Sequence, residues 1–570
     1  MSKFITVFLL LLCVCEIQLS AQDKPKLVVV ISYDQLRGDR LEYYKNELSP
    51  NGFLRVMQNG VNYTECLYNH ANNMTSPGHA IIATGTYPKT NGIVTNEFID
   101  RKRDSLISSV YDSVALVSPR NLYAPTLGEV LKQASPQSKV FSLAIKDRAA
   151  VLMGGAKANG AYWLDTKMGG FGTSKFYKLP AWVLDFNNKH IPMQSAGKLW
   201  QAIVEKKKMP SPEEINAMLQ NLKPGQPPPR PAGGPMTELE RETMMDNMQF
   251  EGDFPEGGKE FPHRIPEYTS KVFWHGFVKS PFAIDWSFEF AKVCIEKEHL
   301  GEDTNPDLLC IGVSTTDDVG HTFGPDSREM KEIVLSADKI LATFIEYLDK
   351  RLGRDNYIVA ITGDHGVTSI PEVAQSHGKD AGRITEKSIV DAVEDYYMRS
   401  VVALTADVIG GENEHKNVVV RHIEPPSLFI DTVFLKNTGQ NISIAKDTMC
   451  AILKRTKGIG IAIRTDDVIA GKCPPDVSKE TFELIRNDVF LPRTGDILFY
   501  PRENWIIGSK PTTHGTPYRY DRWVPLIFFG NGLIGKIISE PASPDQLFYT
   551  LAKELKLTIK NPQNKPLDIR

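Results

Sequence analysis

Three segments with the character of buried strands end in side chains that could bind metal ions. The apolar run KLVVVISY ends at Asp34, LLCIGVSTT ends at Asp317, and YIVAITG ends at Asp364 with His365 beside it. In an open parallel α/β sheet the carboxyl ends of the strands meet at one edge, so residues far apart in sequence can form one site. Because carboxylates and imidazoles bind divalent cations, the pattern predicts a hydrolytic metal centre.

The local spacing of these residues is compatible with shared cations. Asp317 and His321 form D-x-x-x-H, which puts both side chains on one side of a helical or turn segment. Asp364 and His365 can serve one metal only if the chain turns sharply, and the glycines on either side would permit such a turn. Each pair alone is a weak signal.

Two loop segments add further candidates. His514 lies in the glycine-flanked loop PTTHGTPY, and Thr75 opens the segment TSPGHAIIATGT. Pro77 suits the first turn of a helix, which places Thr75 at or near its N-terminus. An alkoxide on Thr75, and a phosphoryl group attached to it, would both be stabilised there. His79 follows four residues later, and we expect it to pack beside the site rather than to bind metal.

The elements that must position these residues read as an α/β fold. Strand and helix signals alternate over residues 26–150, return at 307–368 and return again from Trp523. This pattern predicts one domain with an open, mostly parallel sheet whose sequence is interrupted by insertions, not a tandem repeat. We expect insertions over the carboxyl edge of the sheet at about 151–305 and about 370–500. The Pro-rich stretch 209–236 predicts a solvated loop.

Composition limits the partners and the cofactor chemistry. A formal net charge of −3 over 570 residues, without a sustained basic run, argues against nucleic acid as a partner. Five cysteines follow residue 21, and their odd number and wide spacing support neither a disulfide framework nor a thiolate zinc site, although one or two pairs could bridge. They are Cys66, Cys294, Cys310, Cys450 and Cys473.

The first residues predict export. Lys3 precedes the apolar run of residues 4–14, which is too short to span a membrane, and small residues before Gln22 suit cleavage of a signal peptide comprising residues 1–21. We therefore expect a periplasmic or secreted protein without a membrane span, with residues 22–570 as its catalytic domain. A lipoprotein modified at Cys13 or Cys15 is less favoured, because no small residue directly precedes either cysteine.

Taken together, these residues resemble the alkaline phosphatase superfamily, in its order along the chain. The positions that carry the resemblance are Asp34, Thr75 in MTSPGH, Asn96 in NGIVTNEFID, Asp317 with His321, Asp364 with His365, and His514 in THGT. The resemblance covers most of the chain after residue 21 apart from the Pro-rich insert. It implies the superfamily's mostly parallel central sheet flanked by helices. It also implies two zinc ions, one bound by Asp317, His321 and His514, the other by Asp34, Asp364, His365 and the nucleophile Thr75.

The branches of this superfamily differ around the nucleophile. A sulfatase would carry C/S-x-P-x-R, whereas this chain has Thr75 at the first position and no arginine in TSPGH. Cofactor-independent phosphoglycerate mutases resemble the chain less, because they use a serine nucleophile and because export is predicted here.

A further segment distinguishes monoesterases from diesterases. The residues AIKDR, which include Lys146 and Arg148, look like the K-x-R element of bacterial phosphomonoesterases with a threonine nucleophile, in which an asparagine matching Asn96 also contacts the phosphoryl oxygens. Their i, i+2 spacing would put both cations on one face if the preceding strand continued that far. A monoester dianion carries an extra charge that both could bind by charge-assisted hydrogen bonds.

The resulting hypothesis is a zinc-dependent alkaline phosphatase that acts on small-molecule phosphate monoesters through a covalent phosphothreonine. A monomer is favoured, and manganese or cobalt could occupy the same ligands. Two alternatives stay open: a phosphodiesterase or nucleotide pyrophosphatase on the same scaffold, and a noncatalytic binding protein that presents the Pro-rich loop to a partner.

Overall fold

The computed structural model describes residues 24–203, 250–400 and 418–570. The predicted signal peptide and the Pro-rich loop 209–236 lie outside these ranges. Within them, no helix combines the length and the apolar character that crossing a membrane would require.

The described residues alternate between strands and helices along most of their length. In chain order the strands are β1 Leu27–Tyr33, β2 Val61–Leu67, β3 Glu97–Asp100, β4 Ser105–Ser108, β5 Tyr111–Asp112, β6 Leu116–Val117, β7 Val140–Ala144, β8 Gly160–Asp165, β9 Gly170–Gly172, β10 Leu199–Trp200, β11 His263–Arg264, β12 Asp307–Val313, β13 Tyr357–Thr362, β14 Gly382–Ile384, β15 Val420–Glu424, β16 Ser427–Ile430, β17 Ile459–Arg464, β18 Ile497–Pro501, β19 Trp505–Ile507, β20 Trp523–Gly530 and β21 Lys536–Ile538. The α-helices are α1 Arg40–Tyr43, α2 Phe53–Asn59, α3 Thr75–Thr84, α4 Pro88–Asn91, α5 Leu127–Ala134, α6 Asp147–Gly154, α7 Ala181–Asn187, α8 Phe273–Val278, α9 Pro281–Glu298, α10 Thr315–Phe323, α11 Arg328–Leu352, α12 Pro371–Ser376, α13 Glu386–Ser400, α14 Thr432–Asn437, α15 Ile442–Arg455, α16 Thr465–Ile469, α17 Lys479–Asp488, α18 Arg519–Arg522 and α19 Asp545–Glu554.

A nine-stranded sheet forms the centre of the molecule, in the order β21-β2-β20-β13-β1-β12-β7-β8-β9. The consecutive strands β13, β1, β12, β7 and β8 are parallel. Strand β20 runs antiparallel to both of its neighbours, and β9 runs antiparallel to β8. The predicted α/β fold with a mostly parallel sheet is confirmed.

The central strands are buried on both faces, which explains their nearly continuous apolar sequences. In β1, Val29 and Ile31 pack into one hydrophobic cluster together with α9 and α11. Val28 and Val30 point to the opposite face, where α3, α5, α6 and α19 cover the sheet. Because side chains alternate along a strand, the apolar residues of β1 divide between the two cores.

The register of the strands decides where the polar residues meet. Tyr33 pairs with Val313, Ser32 with Thr362, and Gly312 with Ala144, so β1, β12, β13 and β7 end nearly level. The segments that follow these four strands therefore leave the sheet at the same edge. Asp34 and Asp364 lie there, as do Lys146 and the helix that carries Asp317.

A second, antiparallel sheet lies within the predicted insertion 370–500. Its strands are ordered β15-β16-β18-β17, and it shares a separate hydrophobic cluster with α13 and α15. In the predicted insertion 151–305, β8 and β9 extend the central sheet itself. The division into a catalytic domain with two insertions stays a prediction. The five cysteines that the sequence analysis considered are all free thiols, and only that of Cys473 is exposed.

Candidate metal centre and substrate cavity

Six carboxylate and imidazole residues come together at the carboxyl edge of the sheet. They form two triplets, and within each triplet one ligand atom per residue lies within 4.8 Å of the others. All six side chains are buried except that of His321, which is half-buried. We call them the Asp34 triplet (Asp34, Asp364 and His365) and the Asp317 triplet (Asp317, His321 and His514).

Each ligand is positioned by a local feature of the chain. Asp317 and His321 lie one turn apart on α10, so the predicted helical placement holds. Asp364 and His365 do join one triplet, although neither flanking glycine has a positive φ. Gly366 is required for close approach, since a Cβ there would lie 2.1 Å from the carbonyl oxygen of Tyr520.

Backbone carbonyls orient the three histidines. In each ring Nδ1 faces a carbonyl oxygen, which can only accept a hydrogen bond, so Nδ1 carries the proton and Nε2 faces the carboxylates. The acceptors are Thr512 for His321 at 2.9 Å, Gly366 for His365 at 3.0 Å and Asn73 for His514 at 2.8 Å. A second hydrogen bond of this kind is typical of metal-binding histidines, because it fixes the tautomer and the ring orientation.

The electrostatic setting differs between the triplets. Burial lowers the pKa of His321 to about 3 and the pKa of His514 to about 4, so both rings are neutral at neutral pH, as metal ligands must be. Burial also disfavours the charged form of His365. There, however, the carboxylates of Asp364 and Asp34 dominate and raise the pKa of His365 to about 9.

Two buried carboxylate oxygens test whether a cation fits. Oδ1 of Asp34 and Oδ2 of Asp364 accept no hydrogen bond among the described residues. Nε2 of His365 lies 3.3 Å from the first oxygen, and Nδ1 of His79 lies 3.2 Å from the second. Burying an oxygen without a hydrogen bond is costly, and a divalent cation would bind both atoms. The mixed Asp and His donors suit zinc, with manganese or cobalt as other ions that such ligands accept.

Thr75 is the first residue of α3, as predicted, and its Oγ1 lies 3.5 Å from Nε2 of His365. The neighbouring hydroxyl of Ser76 is turned away and lies 2.8 Å from Oγ of Ser109. The backbone N–H of Ser76 donates to Oδ1 of Asn96 at 2.8 Å. This bond orients the carboxamide, so that Nδ2 of Asn96 is left to donate elsewhere.

His79 lies outside both triplets. Its Nδ1 lies 2.8 Å from the carbonyl oxygen of Thr75 and 3.2 Å from Oδ2 of Asp364. The ring is completely buried and contacts both the backbone of Thr75 and a carboxylate of the Asp34 triplet.

Lys146 and Arg148, the two predicted phosphate-binding cations, do not share one face of a strand, because the strand before them ends too early. Strand β7 stops at Ala144, Lys146 directly precedes α6, and Arg148 lies in the first turn of that helix. Nζ of Lys146 donates to Oδ2 of Asp34 at 2.6 Å and also to Asp317. Burial would lower the pKa of Lys146, but these two carboxylates raise it above its usual value. Nε of Arg148 is buried without a hydrogen-bond partner in the described part of the chain.

A cavity of about 410 Å³ joins these groups. Its lining includes Thr75, Asn96, Lys146, Arg148, Asp317, His321 and His514. It also includes charged residues that the sequence analysis missed, namely Asp253, Lys279, Asp318 and Lys510. Only Asp318 had a visible signal, its position beside Asp317, because the others lie outside any recognisable motif.

Comparisons with known proteins agree with this arrangement. The family model described as type I phosphodiesterase / nucleotide pyrophosphatase matches residues 28–521. The chain is 29% identical to the alkaline phosphatase PhoV of Synechococcus elongatus over 526 residues, covering 90% of this chain and 86% of PhoV. It is 27% identical to the alkaline phosphatase PafA of Elizabethkingia meningoseptica over 560 residues, covering 94% and 93%. The crystal structure of PafA matches with a TM-score of 0.82 and 25% identity over 96% of this chain and 99% of PafA.

The fold and the site thus define a hydrolase of the alkaline phosphatase superfamily. The chain belongs to the type I phosphodiesterase / nucleotide pyrophosphatase family within that superfamily, on the branch that contains the bacterial phosphomonoesterases. The resemblance inferred from the sequence is confirmed, and the noncatalytic alternative is set aside. Enzymes of this superfamily depend on metals, and the two triplets are the candidate sites for them.

Proposed function

We propose that this chain is a zinc-dependent alkaline phosphatase that hydrolyses small-molecule phosphate monoesters through a covalent phosphothreonine. The observation that carries the proposal is that Lys146 and Arg148 line the same cavity as Thr75. Two cations beside the nucleophile suit a dianionic phosphoryl group, because charge-assisted hydrogen bonds are stronger than neutral ones. Similarity to PafA and PhoV over most of each chain supports the same reaction.

The residues divide the work of binding phosphate. Arg148 offers a planar fork of donors, and its buried Nε is available to an oxygen acceptor. The backbone N–H of Ser76 occupies Oδ1 of Asn96, so Nδ2 of Asn96 would donate to the phosphoryl group. Lys146 bridges Asp34 and Asp317, and it would donate to the phosphoryl group once those carboxylates bind metal.

The Asp34 triplet with Thr75 would hold one zinc ion, and the Asp317 triplet would hold the other. Zinc, when bound, lowers the pKa of the Thr75 hydroxyl and stabilises negative charge on the departing oxygen. The N-terminus of α3 adds a favourable field at Thr75.

The reaction would proceed by two in-line displacements. In the first, Oγ1 of Thr75 gives up its proton to solvent and forms a bond to phosphorus while the bond to the leaving alkoxide breaks. The alkoxide then takes a proton from water. In the second, a water oxygen attacks phosphorus, the bond to Oγ1 breaks, and inorganic phosphate leaves with Thr75 restored. Asn96, Lys146 and Arg148 would hold the equatorial oxygens in both steps.

The description of the matching family favours a second candidate, a phosphodiesterase or nucleotide pyrophosphatase on the same scaffold. A diester carries only one negative charge on its phosphoryl oxygens. Hydrolysis of diesters would therefore depend little on Lys146 and Arg148.

The deciding experiment compares kcat/KM for an aryl phosphate monoester and for the matching diester at alkaline pH. We expect a strong preference for the monoester that collapses in Lys146→Ala and Arg148→Ala. Lys132→Ala is a matched control, because that lysine contacts Asn159 and does not line the cavity. A preference for the diester that both variants retain would establish the phosphodiesterase instead.

Export and the monomeric state belong to the same proposal. Export is supported by the apolar run of residues 4–14. Cell fractionation and light scattering test them, and a cytoplasmic enzyme or a stable oligomer would contradict them.

A further inference from the structure

Gln35 connects the two triplets. Its backbone N–H donates to Oδ1 of Asp364 at 3.0 Å, and its side-chain Nε2 donates to Oδ1 of Asp317 at 2.7 Å. Gln35 also directly follows Asp34, and only 2% of its surface is exposed. One residue therefore holds a carboxylate of each triplet and adjoins a third.

The backbone of Gln35 adopts a conformation that few residues other than glycine tolerate. Its φ is 66°, in the left-handed region, which persists only when the surroundings impose it. This conformation lets the N–H reach Asp364 while the side chain reaches Asp317. The strain is thus tied to contact with both triplets at once.

The side chain is held from the other side by α10. A Cβ on Gly320 would lie 1.8 Å from Oε1 of Gln35, so only glycine at that position leaves room for the amide. Gly320 lies between Asp317 and His321 on the helix that carries both ligands. The amide of Gln35 is therefore packed directly against the backbone of the Asp317 triplet.

The orientation of the amide follows from its partner. Because a carboxylate oxygen of Asp317 accepts, the NH2 group must face it, and Oε1 points the other way. Oε1 is buried without a hydrogen-bond partner among the described residues. A left-handed backbone and an unsatisfied oxygen both reduce stability, so the gain from this residue lies in placing the two carboxylates.

We propose that Gln35 is a positioning residue that couples the two metal groups, so that filling one triplet raises the affinity of the other. The inference rests on the proposed zinc roles. With Oδ1 of Asp364 held by Gln35, Oδ2 stays 3.5 Å from Nε2 of His365. The side-chain Nε2 of Gln35 holds Oδ1 of Asp317, and that oxygen lies 3.3 Å from Nε2 of His321. A cation that orders one carboxylate thereby orders Gln35 and, through it, the other carboxylate.

The test measures zinc binding rather than turnover. Metal-free mature protein is titrated with zinc against a chromophoric chelator at pH 8. His365→Ala disables the Asp34 triplet and His321→Ala disables the Asp317 triplet, so each variant reports the affinity of the remaining one. We expect each disabling change to weaken zinc at the other triplet by about 5-fold to 150-fold in an otherwise unchanged chain, the usual range for coupled sites.

Gln35→Met keeps the length of the side chain and removes the amide. In this background we expect the Asp317 triplet to bind zinc about 10-fold to 100-fold more weakly, as is typical when a residue that orients a ligand is lost. Asp364 keeps its bond from the backbone N–H, so the Asp34 triplet should lose only the contribution of the coupling.

The factor by which disabling one triplet weakens the other in Gln35→Met should be at least about 5-fold smaller than in the otherwise unchanged chain. The stacking of His365 on His514 at 3.6 Å and the contacts of Lys146 with both triplets are present in both backgrounds, so their effects cancel in this comparison. Gln35→Gly, which retains the backbone N–H and suits the left-handed φ, should give the same loss of coupling if Gln35→Met does not fold.

Asn187→Leu is the matched control. It removes a buried amide that bonds both backbone groups of Phe171, and neither residue lines the cavity, so both zinc affinities and their coupling should be unchanged. If two zinc ions bind and their coupling in Gln35→Met is as large as in the otherwise unchanged chain, the inference about Gln35 is wrong while the proposed metal roles stand. Failure of the unchanged chain to bind two zinc ions would instead overturn the proposed metal roles.

Discussion

The ammonium group of Lys146 lies 2.6 Å from a carboxylate oxygen of Asp34. A residue proposed to bind the substrate phosphate therefore contacts a carboxylate that is proposed to bind metal. Lys146 also contacts Asp317 and so spans both triplets. A single positive charge thus lies between the two groups that we expect to bind cations.

This position predicts that Lys146→Ala separates metal binding from catalysis. Removing the ammonium group frees two carboxylates, so zinc affinity should be equal to or higher than that of the unchanged chain. Loss of a charged donor to the phosphoryl group should lower kcat/KM for a monoester by about 100-fold or more. Zinc titration and steady-state kinetics on the same preparation check both parts, and a parallel loss of zinc would contradict the assignment.

Thr75→Ala should abolish turnover while two zinc ions still bind, because the remaining ligands of the Asp34 triplet are untouched. Ser76→Ala is the neighbouring control: its hydroxyl contacts Ser109 rather than the triplets, so the variant should retain most of the rate. Acid quenching of the unchanged enzyme with a labelled monoester should trap phosphate on Thr75. A near-normal rate in Thr75→Ala would remove it from the role of nucleophile.

Zinc binding should depend on pH differently at the two triplets. His365 has a raised pKa of about 9, so below that pH the metal must displace a proton, and affinity at the Asp34 triplet should fall about tenfold per pH unit. His321 and His514, with pKa values lowered to about 3 and about 4, are already neutral, so affinity at the Asp317 triplet should be flat between pH 6 and pH 9. Titrations of His321→Ala and His365→Ala across this range separate the two profiles. Equal slopes at both triplets would contradict the prediction.

Asp488 anchors the loop that leads to Thr75. It lies 2.8 Å from Nδ1 of His70 and accepts the backbone N–H groups of Ala71 and Asn72, all of them buried. Asp488→Ala would leave these donors unpaired and should lower the free energy of unfolding by about 3 kcal/mol or more. Urea denaturation measures the change. Glu483→Ala on the same helix is the control, because its exposed pair with Arg486 should contribute less than about 1 kcal/mol. A similar effect of both substitutions would contradict the anchoring role.

Much of the fold was predictable from periodicity and strand ends. Continuous apolar runs such as β1 predict strands buried on both faces, and a parallel sheet brings their carboxyl ends together. The i, i+4 spacing of Asp317 and His321 likewise predicts that both lie on one side of a helical or turn segment, and the structure has a helix there. These inferences succeed because side-chain type and spacing act locally.

By itself, the sequence determined which residue types stand at the strand ends and at the N-terminus of α3, and thereby the class of chemistry. The tertiary structure alone decided how those residues are held. The carbonyls of Asn73 and Thr512 that orient two histidines carry no sequence signal, because every residue has the same carbonyl group. The link from Gln35 to Asp317 likewise depends on how β1 and α10 pack, which joins residues distant in sequence and leaves no trace in local spacing.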